Sequence, residues 1–296
     1  MKNTVEIKVG ICIAYDWEML KTALPLFYNQ VDLICLSLDI NRETWSGNKF
    51  IFNEIDFFSY VKMIDTQNKI IIYQDDFCVD KQNPMKGEVF QRNQMAKKLG
   101  KGGWHIQIDV DEYFVDIESL VLFLRKTNLL NKKDLNICLP FYIMFKHFET
   151  TSLFIKGRME WVPVVTNNPN YEYGRRNGYF NYKFNSPIIH QSWARTDKEI
   201  QQKVNNWGHK TDFDGVAFYE KWAKLDLNNY KKWINFHPID GKVWHELVAI
   251  EGHSIDELVV KNKSKFKILR SDSPLKIWLK NFRLISRIFQ IFQIKW

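Results

Sequence analysis

The chain has 296 residues, 45% hydrophobic and 26% charged, which is apolar enough for a sizeable core and excludes a disordered chain. Its net charge of +8 sits at one end: residues 261–296 hold ten basic residues against the single acid Asp272, a surplus of nine, which leaves the first 260 residues at −1. A basic body wrapping nucleic acid is therefore disfavoured, although the basic tail could still touch it, and no nucleic-acid partner is expected.

In chain order, residues 1–6 show no apolar signal-peptide core. Residues 9–14 read as a strand and 17–28 as a helix. Residues 31–38 form a second strand ending at Asp39, and 69–73 a third, followed by Asp75-Asp76. Residues 90–99 read as a helix stopped at Gly100. Trp104-His105-Ile106-Gln107-Ile108 alternates and is β-branched, as in a buried strand, and runs into Asp109-Val110-Asp111-Glu112. A helix over 117–127 and a strand over 135–145 follow. This alternation predicts an α/β fold with a mostly parallel sheet between helices. Ligands in such sheets lie beyond the carboxyl ends of the strands, where Asp16, Asp39, Asp75, Asp76, Asp109 and Asp111 are all expected.

Residues 146–190 are rich in aromatics, Asn and Gly and read as short strands and long loops. Residues 197–235 return to helical character, with Trp207, Trp222 and Trp233. None of Cys12, Cys35, Cys78 and Cys138 falls in a CxxC or CxC pair, which disfavours a zinc ribbon or disulfide framework and predicts a reducing compartment. A polar linker is expected over 255–273. Pro274 can open a helix over 274–296 that sets Lys276, Lys280, Arg283 and Arg287 on one face. No uncharged stretch reaches 18 residues, and each mid-helix charge would cost about 2.5–3.5 kcal/mol in a spanning helix. A basic helix lying on an anionic membrane surface is the expectation, and a helix packed on the body or in a dimer seam is the alternative.

The acidic cluster is where chemistry is expected. Two carboxylates one residue apart at a strand end can face one divalent cation and leave oxygen positions for a substrate phosphate. Hard oxygen ligands of this kind suit Mg²⁺ or Mn²⁺. An EF-hand loop counted from Asp109 would need Gly and Glu where Phe114 and Leu120 stand. A phosphatase with an Asp nucleophile has the same spacing near its first strand, whereas here it is near the fourth. A turn of solvated carboxylates remains the plain alternative.

Gln91-Arg92-Asn93-Gln94 on a helix, then Gly102-Gly103, then the strand ending in Asp109-Val110-Asp111-Glu112, resembles the order found in glycosyltransferases of the GT-A fold. The likeness is to family-2-like enzymes of bacterial polysaccharide biosynthesis and covers roughly residues 7–195. It implies a Rossmann-like nucleotide-binding mixed sheet flanked by helices, with a C-terminal helical extension. The catalytic domain would span 1–254, with a nucleotide-binding half over about 1–115 and an acceptor half over about 116–254. It implies that Asp111 ligates the metal and that Asp109 contacts the metal or the donor ribose. Ala14, Tyr15 and Asp16 would line the base pocket with Asp39 and Asp76 at its border, and Val110 would lie against the nucleotide. Arg92 would hold the diphosphate or brace the strand-end acids. His190, after Ser186-Pro187-Ile188-Ile189, matches a returning segment that can add an imidazole ligand and favour Mn²⁺, or else be a structural histidine.

The implied reaction moves a sugar from a UDP- or GDP-linked donor to a glycan or lipid-linked glycan acceptor on the inner face of the cell membrane. An inverting enzyme needs a carboxylate base. Glu149, Glu160, Asp212 and Asp214 are the candidates, with Glu160 first by position, although the acidic pair usual in family-2-like enzymes is missing. Trp161, Trp193, Trp207 and Trp244 can stack on sugar rings or pack in the core. Two other readings stay open: a nucleotidyltransferase on a related fold, and a non-catalytic carbohydrate-binding protein. The first is disfavoured by Ala14-Tyr15-Asp16-Trp17 where a Gly-rich basic loop would stand.

Overall fold

A computed structural model describes residues 5–131, 134–157, 159–206, 213–241, 243–261, 266 and 273–282. The chain runs β1 (Ile7–Ile13), α1 (Leu20–Phe27), β2 (Leu33–Asp39), α2 (Glu54–Ile64), β3 (Ile70–Asp75), α3 (Pro84–Leu99), β4 (Trp104–Asp109), β5 (Glu112–Phe114) and α4 (Ile117–Lys126). There follow β6 (Leu135–Phe148), β7 (Thr151–Gly157), β8 (Glu160–Thr166), β9 (Phe180–Lys183), β10 (Ile188–His190), α5 (Asp197–Asn206), α6 (Gly215–Ala223), β11 (Trp244–Glu251), α7 (Ile255–Lys261) and α8 (Pro274–Asn281).

The strands form one mixed sheet in the order β11-β7-β6-β8-β4-β1-β2-β3. The β4-β1-β2-β3 part is parallel, as the strand–helix alternation predicts. The β11-β7-β6-β8 part is antiparallel, and β8 joins β4 through only two pairs, His105↔Thr166 and Ile106↔Val165. The fold is thus an α/β, Rossmann-like mixed sheet flanked by helices. Its main core joins Val9, Ile11, Ile34, Leu36, Ile106 and Ile108 to Leu20, Leu24 and Phe27 of α1 and to Leu120 and Leu124 of α4. Cys35, Met95 and Leu99 fill the opposite side of the sheet beneath α3. Gly103 sets the start of β4: its φ is +72°, and a Cβ there would lie 2.5 Å from the Glu6 carbonyl oxygen.

Local signals explain the helix boundaries. Asn53 caps α2 by accepting from the Asp56 N–H, and Asp116 caps α4 by accepting from Ser119. Pro84 opens α3, so this helix starts six residues before the apolar pattern suggests. Residues 255–261, expected within a polar linker, instead form α7, because Leu258 and Val259 bury against Tyr113, Tyr142 and Phe266 in a second core. The helix expected over 274–296 is described as far as Asn281, and Phe282 after it is extended. The Asn281 side-chain amide accepts from the Lys183 N–H and donates to the Lys183 carbonyl, tying this end to β9. Arg283 and Arg287 lie outside the described residues, as does Trp207.

Candidate functional site

The ends of β1, β2 and β4 open into a pocket of about 270 Å³ lined by Ala14, Tyr15, Asp16, Asp39, Arg92, Asp109, Val110, Asp111 and His190, all expected from the sequence. Asp75 and Asp76 are not among its lining residues. Their strand, β3, lies three strands from β4, about 14 Å at ordinary inter-strand spacing. Asp76 is exposed and caps a turn by accepting from the Cys78 N–H. Asp39 reaches the pocket wall, but its carboxylate accepts the N–H groups of Asn41, Glu43 and Phe77 and so shapes the loop after β2.

Strand pairing gathers the acidic centre. β10 runs antiparallel to β5 with His190 opposite Glu112, and the Gln191 N–H continues the ladder to the Asp111 carbonyl. Opposed residues in such a pair point to one face, and ligand atoms of Asp111, Glu112 and His190 lie within 4.8 Å of one another. Two carboxylates and an imidazole suit a divalent ion such as Mn²⁺, so the donor chemistry fits a metal site.

Every acid is countered by a buried cation. Arg92 Nη2 donates to Asp109 Oδ1 at 2.9 Å, and Arg175 Nη2 donates to Asp109 Oδ2 and Glu112 Oε1, both at 2.6 Å. Glu112 Oε2 also accepts the Asp109 N–H at 3.1 Å. Arg195 bridges two acids, with Nη2 2.6 Å from Asp111 Oδ2 and Nη1 2.9 Å from Asp16 Oδ2. Lys203 Nζ and His190 Nε2 lie 3.4 and 3.5 Å from that same Asp111 oxygen. Arg92 thus makes the ion pair that braces Asp109 while also lining the pocket. Nη1 of Arg92, Nη1 of Arg175 and Nε of Arg195 are buried and meet no acceptor among the described residues, so the guanidiniums hold donors beyond those the acids use.

These contacts set the titration of the centre. Burial raises the Asp109 carboxyl, but Arg92 and Arg175 outweigh it and bring it down to about 2. Burial likewise opposes ionisation of Asp111, and Lys203, His190 and Arg195 together hold its carboxyl well below the ordinary range. Glu112 is shifted the other way, since burial and the nearby Asp109 charge exceed the pull of Arg175. Burial and then the Arg195 charge lower the Lys203 ammonium, with Asp111 and Asp16 opposing them.

Of the expected bases, Glu160 is half-buried on β8 beside Phe141, with the Trp244 indole N–H 3.5 Å from its carboxylate. Burial raises its carboxyl above the ordinary range, more than Trp244 and His190 lower it. Asp214 accepts the N–H groups of Val216 and Ala217 as the cap of α6, and Glu149 is exposed in the β6–β7 turn. Asp212 lies outside the described residues. Trp193 and Trp244 are buried in an aromatic cluster around Phe145, and half-buried Trp161 has the Lys183 ammonium 5.2 Å above its ring.

Arg175 and Lys203 were not legible as site residues. Arg175 follows Gly174, whose φ of +54° turns the chain back so that Tyr173 and Arg176 bridge. In the sequence, Gly174-Arg175-Arg176-Asn177-Gly178 reads as a loop. The three acids demand counter-cations, but that demand does not say which basic residue answers it.

No family model matches the chain, and no curated protein matches its sequence. Among solved structures, mannose-1-phosphate geranyltransferase from Thermus thermophilus is a remote neighbour, at 8% identity and a TM-score of 0.29. The match covers 76% of this chain and 66% of that one, just under two thirds of the neighbour's length.

Proposed function

We propose that this protein is a metal-dependent glycosyltransferase that moves a sugar from a UDP- or GDP-linked donor to a glycan or lipid-linked glycan acceptor. The observation that carries the reading is the convergence of Asp109, Asp111 and His190 at the carboxyl end of β4, in one pocket with Ala14, Tyr15 and Asp16, with Glu112 within reach of Asp111 and His190. Asp111 and His190 would hold Mn²⁺, or Mg²⁺ less well, with Glu112 beside them. Such an ion supplies Lewis-acid charge at a leaving diphosphate. Asp109, held ionised between Arg92 and Arg175, faces the donor ribose, and Tyr15 and Val110 flank the nucleotide. Arg195, fixed by Asp16 and Asp111, keeps positive charge beside the diphosphate position. Glu160, on β8 and outside the residues that line this pocket, is the candidate to take the acceptor hydroxyl proton, and burial raises its carboxyl. The direct test is hydrolysis of UDP- and GDP-sugars with and without Mn²⁺. Turnover that depends on the ion supports the reading, and none with any donor of either class refutes it.

The enzyme would work at the inner face of a membrane, on an anionic surface. Among the described residues no helix is long and apolar enough to cross a bilayer. On α8, Leu275 and Trp278 are exposed, as is Phe282 just beyond it, and Trp278 and Phe282 pack ring to ring at 4.7 Å. Lys276 and Lys280 lie one turn apart on the same helix. Aromatics beside lysines suit the headgroup boundary, where each basic residue adds about 1 kcal/mol on an anionic surface. Protein lacking residues 272–296 should stay in the supernatant when anionic liposomes sediment the full chain. Equal sedimentation of the two proteins would assign the helix another role.

A further inference from the structure

We propose that Lys203 is the exchangeable cation of the site: its ammonium, seen on Asp111, transfers to the donor's diphosphate when a divalent ion binds that acid. The inference rests on the glycosyltransferase reading and adds a residue and a binding order to it.

The three groups on Asp111 Oδ2 are not equally held. Arg195 makes the shortest contact, 2.6 Å, and is locked by a second carboxylate, Asp16. His190 is fixed by its strand, opposite Glu112. Lys203 sits 3.4 Å from the oxygen, and its shorter bond, 3.0 Å, goes to the neutral Ser192 carbonyl. A lysine is a point charge on a flexible four-carbon stem, whereas a bridging guanidinium has one useful orientation. A divalent ion at Asp111 repels every neighbouring cation, and Lys203 is the one that can leave without breaking a two-acid bridge.

The helix under Lys203 is anchored, so the side chain can move alone. At the start of α5, Thr196 and Glu199 cap each other: the Thr196 N–H donates to Glu199 Oε2 and the Glu199 N–H to Thr196 Oγ1. Ile200 is fully buried in the aromatic cluster. At the far end, the Asn206 side-chain oxygen accepts from Thr44 Oγ1 at 3.1 Å and Asn48 Nδ2 at 2.9 Å, across the pocket mouth. Lys203 lines the pocket together with Asp111, His190 and Arg195. In the transfer, the acceptor oxygen bonds to the sugar's anomeric carbon and gives its proton to Glu160. The bond from that carbon to the diphosphate breaks, and its electron pair stays on the diphosphate. Lys203 neutralises that oxygen without giving up a proton.

The signature is a pair of opposite changes, read by calorimetric titration of Mn²⁺ alone and then of UDP or GDP in saturating Mn²⁺. Against wild type, K203M should bind Mn²⁺ more tightly, because a competing cation is gone. It should bind the nucleoside diphosphate at least about tenfold more weakly, the loss of one hydrogen bond to a charged group. K203R, which keeps the charge, should retain most of the nucleotide affinity, and thermal melts of both variants confirm folding. Unchanged affinities in K203M, or a parallel loss of both, overturn the inference while leaving the glycosyltransferase reading intact. Wild-type protein that binds Mn²⁺ but neither nucleotide overturns that reading, and the inference with it.

Discussion

Asparagine at position 111 should remove Mn²⁺-dependent turnover of a nucleotide sugar, lowering it by at least about 10²-fold, as expected when a preorganised charge at the reacting centre is lost. The substitution keeps the shape of the side chain and removes its charge. Three positive or imidazole groups converge on the Asp111 oxygen, so the carboxylate is both the proposed ligand and the counter-ion that keeps them together. Folding should suffer too, by about 3–5 kcal/mol, the usual cost of breaking one side of a buried ion pair. Arg195 keeps Asp16 as a partner, which should hold the loss near the lower figure. The two effects separate experimentally. Assayed well below its own melting temperature, folded D111N should still be inactive. Undiminished turnover by folded D111N would remove Asp111 from the chemistry.

Methionine in place of Arg175 should produce the largest loss of stability of any single change at the site, about 3–5 kcal/mol at neutral pH. Among the described residues Arg175 is the one cation that contacts both Asp109 and Glu112, at 2.6 Å each. Without it the buried Glu112 carboxylate faces the half-buried Asp109, and Arg92 can answer only the latter. The loss has a defined pH dependence. In the wild type, Asp109 titrates at about 2 in the fold, below the ordinary 3.9 of an unfolded Asp. Its pairing therefore stabilises the fold above about pH 4, and that contribution fades as pH falls towards 2. In R175M the Glu112 carboxyl, already raised in the wild type, rises further, and Asp109, left with Arg92 alone, rises from its lowered value. The penalty is then full at neutral pH and shrinks as acid protonates the pair. Urea unfolding from pH 7.5 down to 4.5 should show the gap between wild type and R175M narrowing. A gap that stays constant would mean that Arg175 acts through packing rather than charge.

The parallel half of the fold was legible because its signals are local. The strands at 9–14, 31–38, 69–73 and 104–108 are short apolar runs that end in Asp, and β1 to β4 match them within two residues or so. The antiparallel half was less so. β6 is a strand of 14 residues that bends from one partner to another, and its length shows only through its pairing with β7, β8, β9 and β10. In the polar-looking stretch after residue 254, two buried residues, Leu258 and Val259, suffice to dock α7, which mean polarity conceals. At the site, Asp109, Asp111 and His190 were legible because a strand end announces its acids and a short apolar run delivers the histidine. Asp39 was legible as a position but not as a role, since its three backbone partners come from loop geometry. Arg175 and Lys203 reach Asp109 and Asp111 from 66 and 92 residues downstream, a separation that no local pattern encodes.

That same separation bears on how the chain is made. Glu112 meets Arg175 after another 63 residues, and Asp111 meets Arg195 after another 84. At ordinary rates of synthesis, 5–20 residues per second, the acids leave the ribosome roughly 3–20 s before their partners. During that interval Arg92 is the only one of their guanidinium partners already made, and burying the acids would strand charge in the interior. The nascent first half must therefore keep the end of its fourth strand wet. Closure of the pocket is therefore expected to wait for the later arginines.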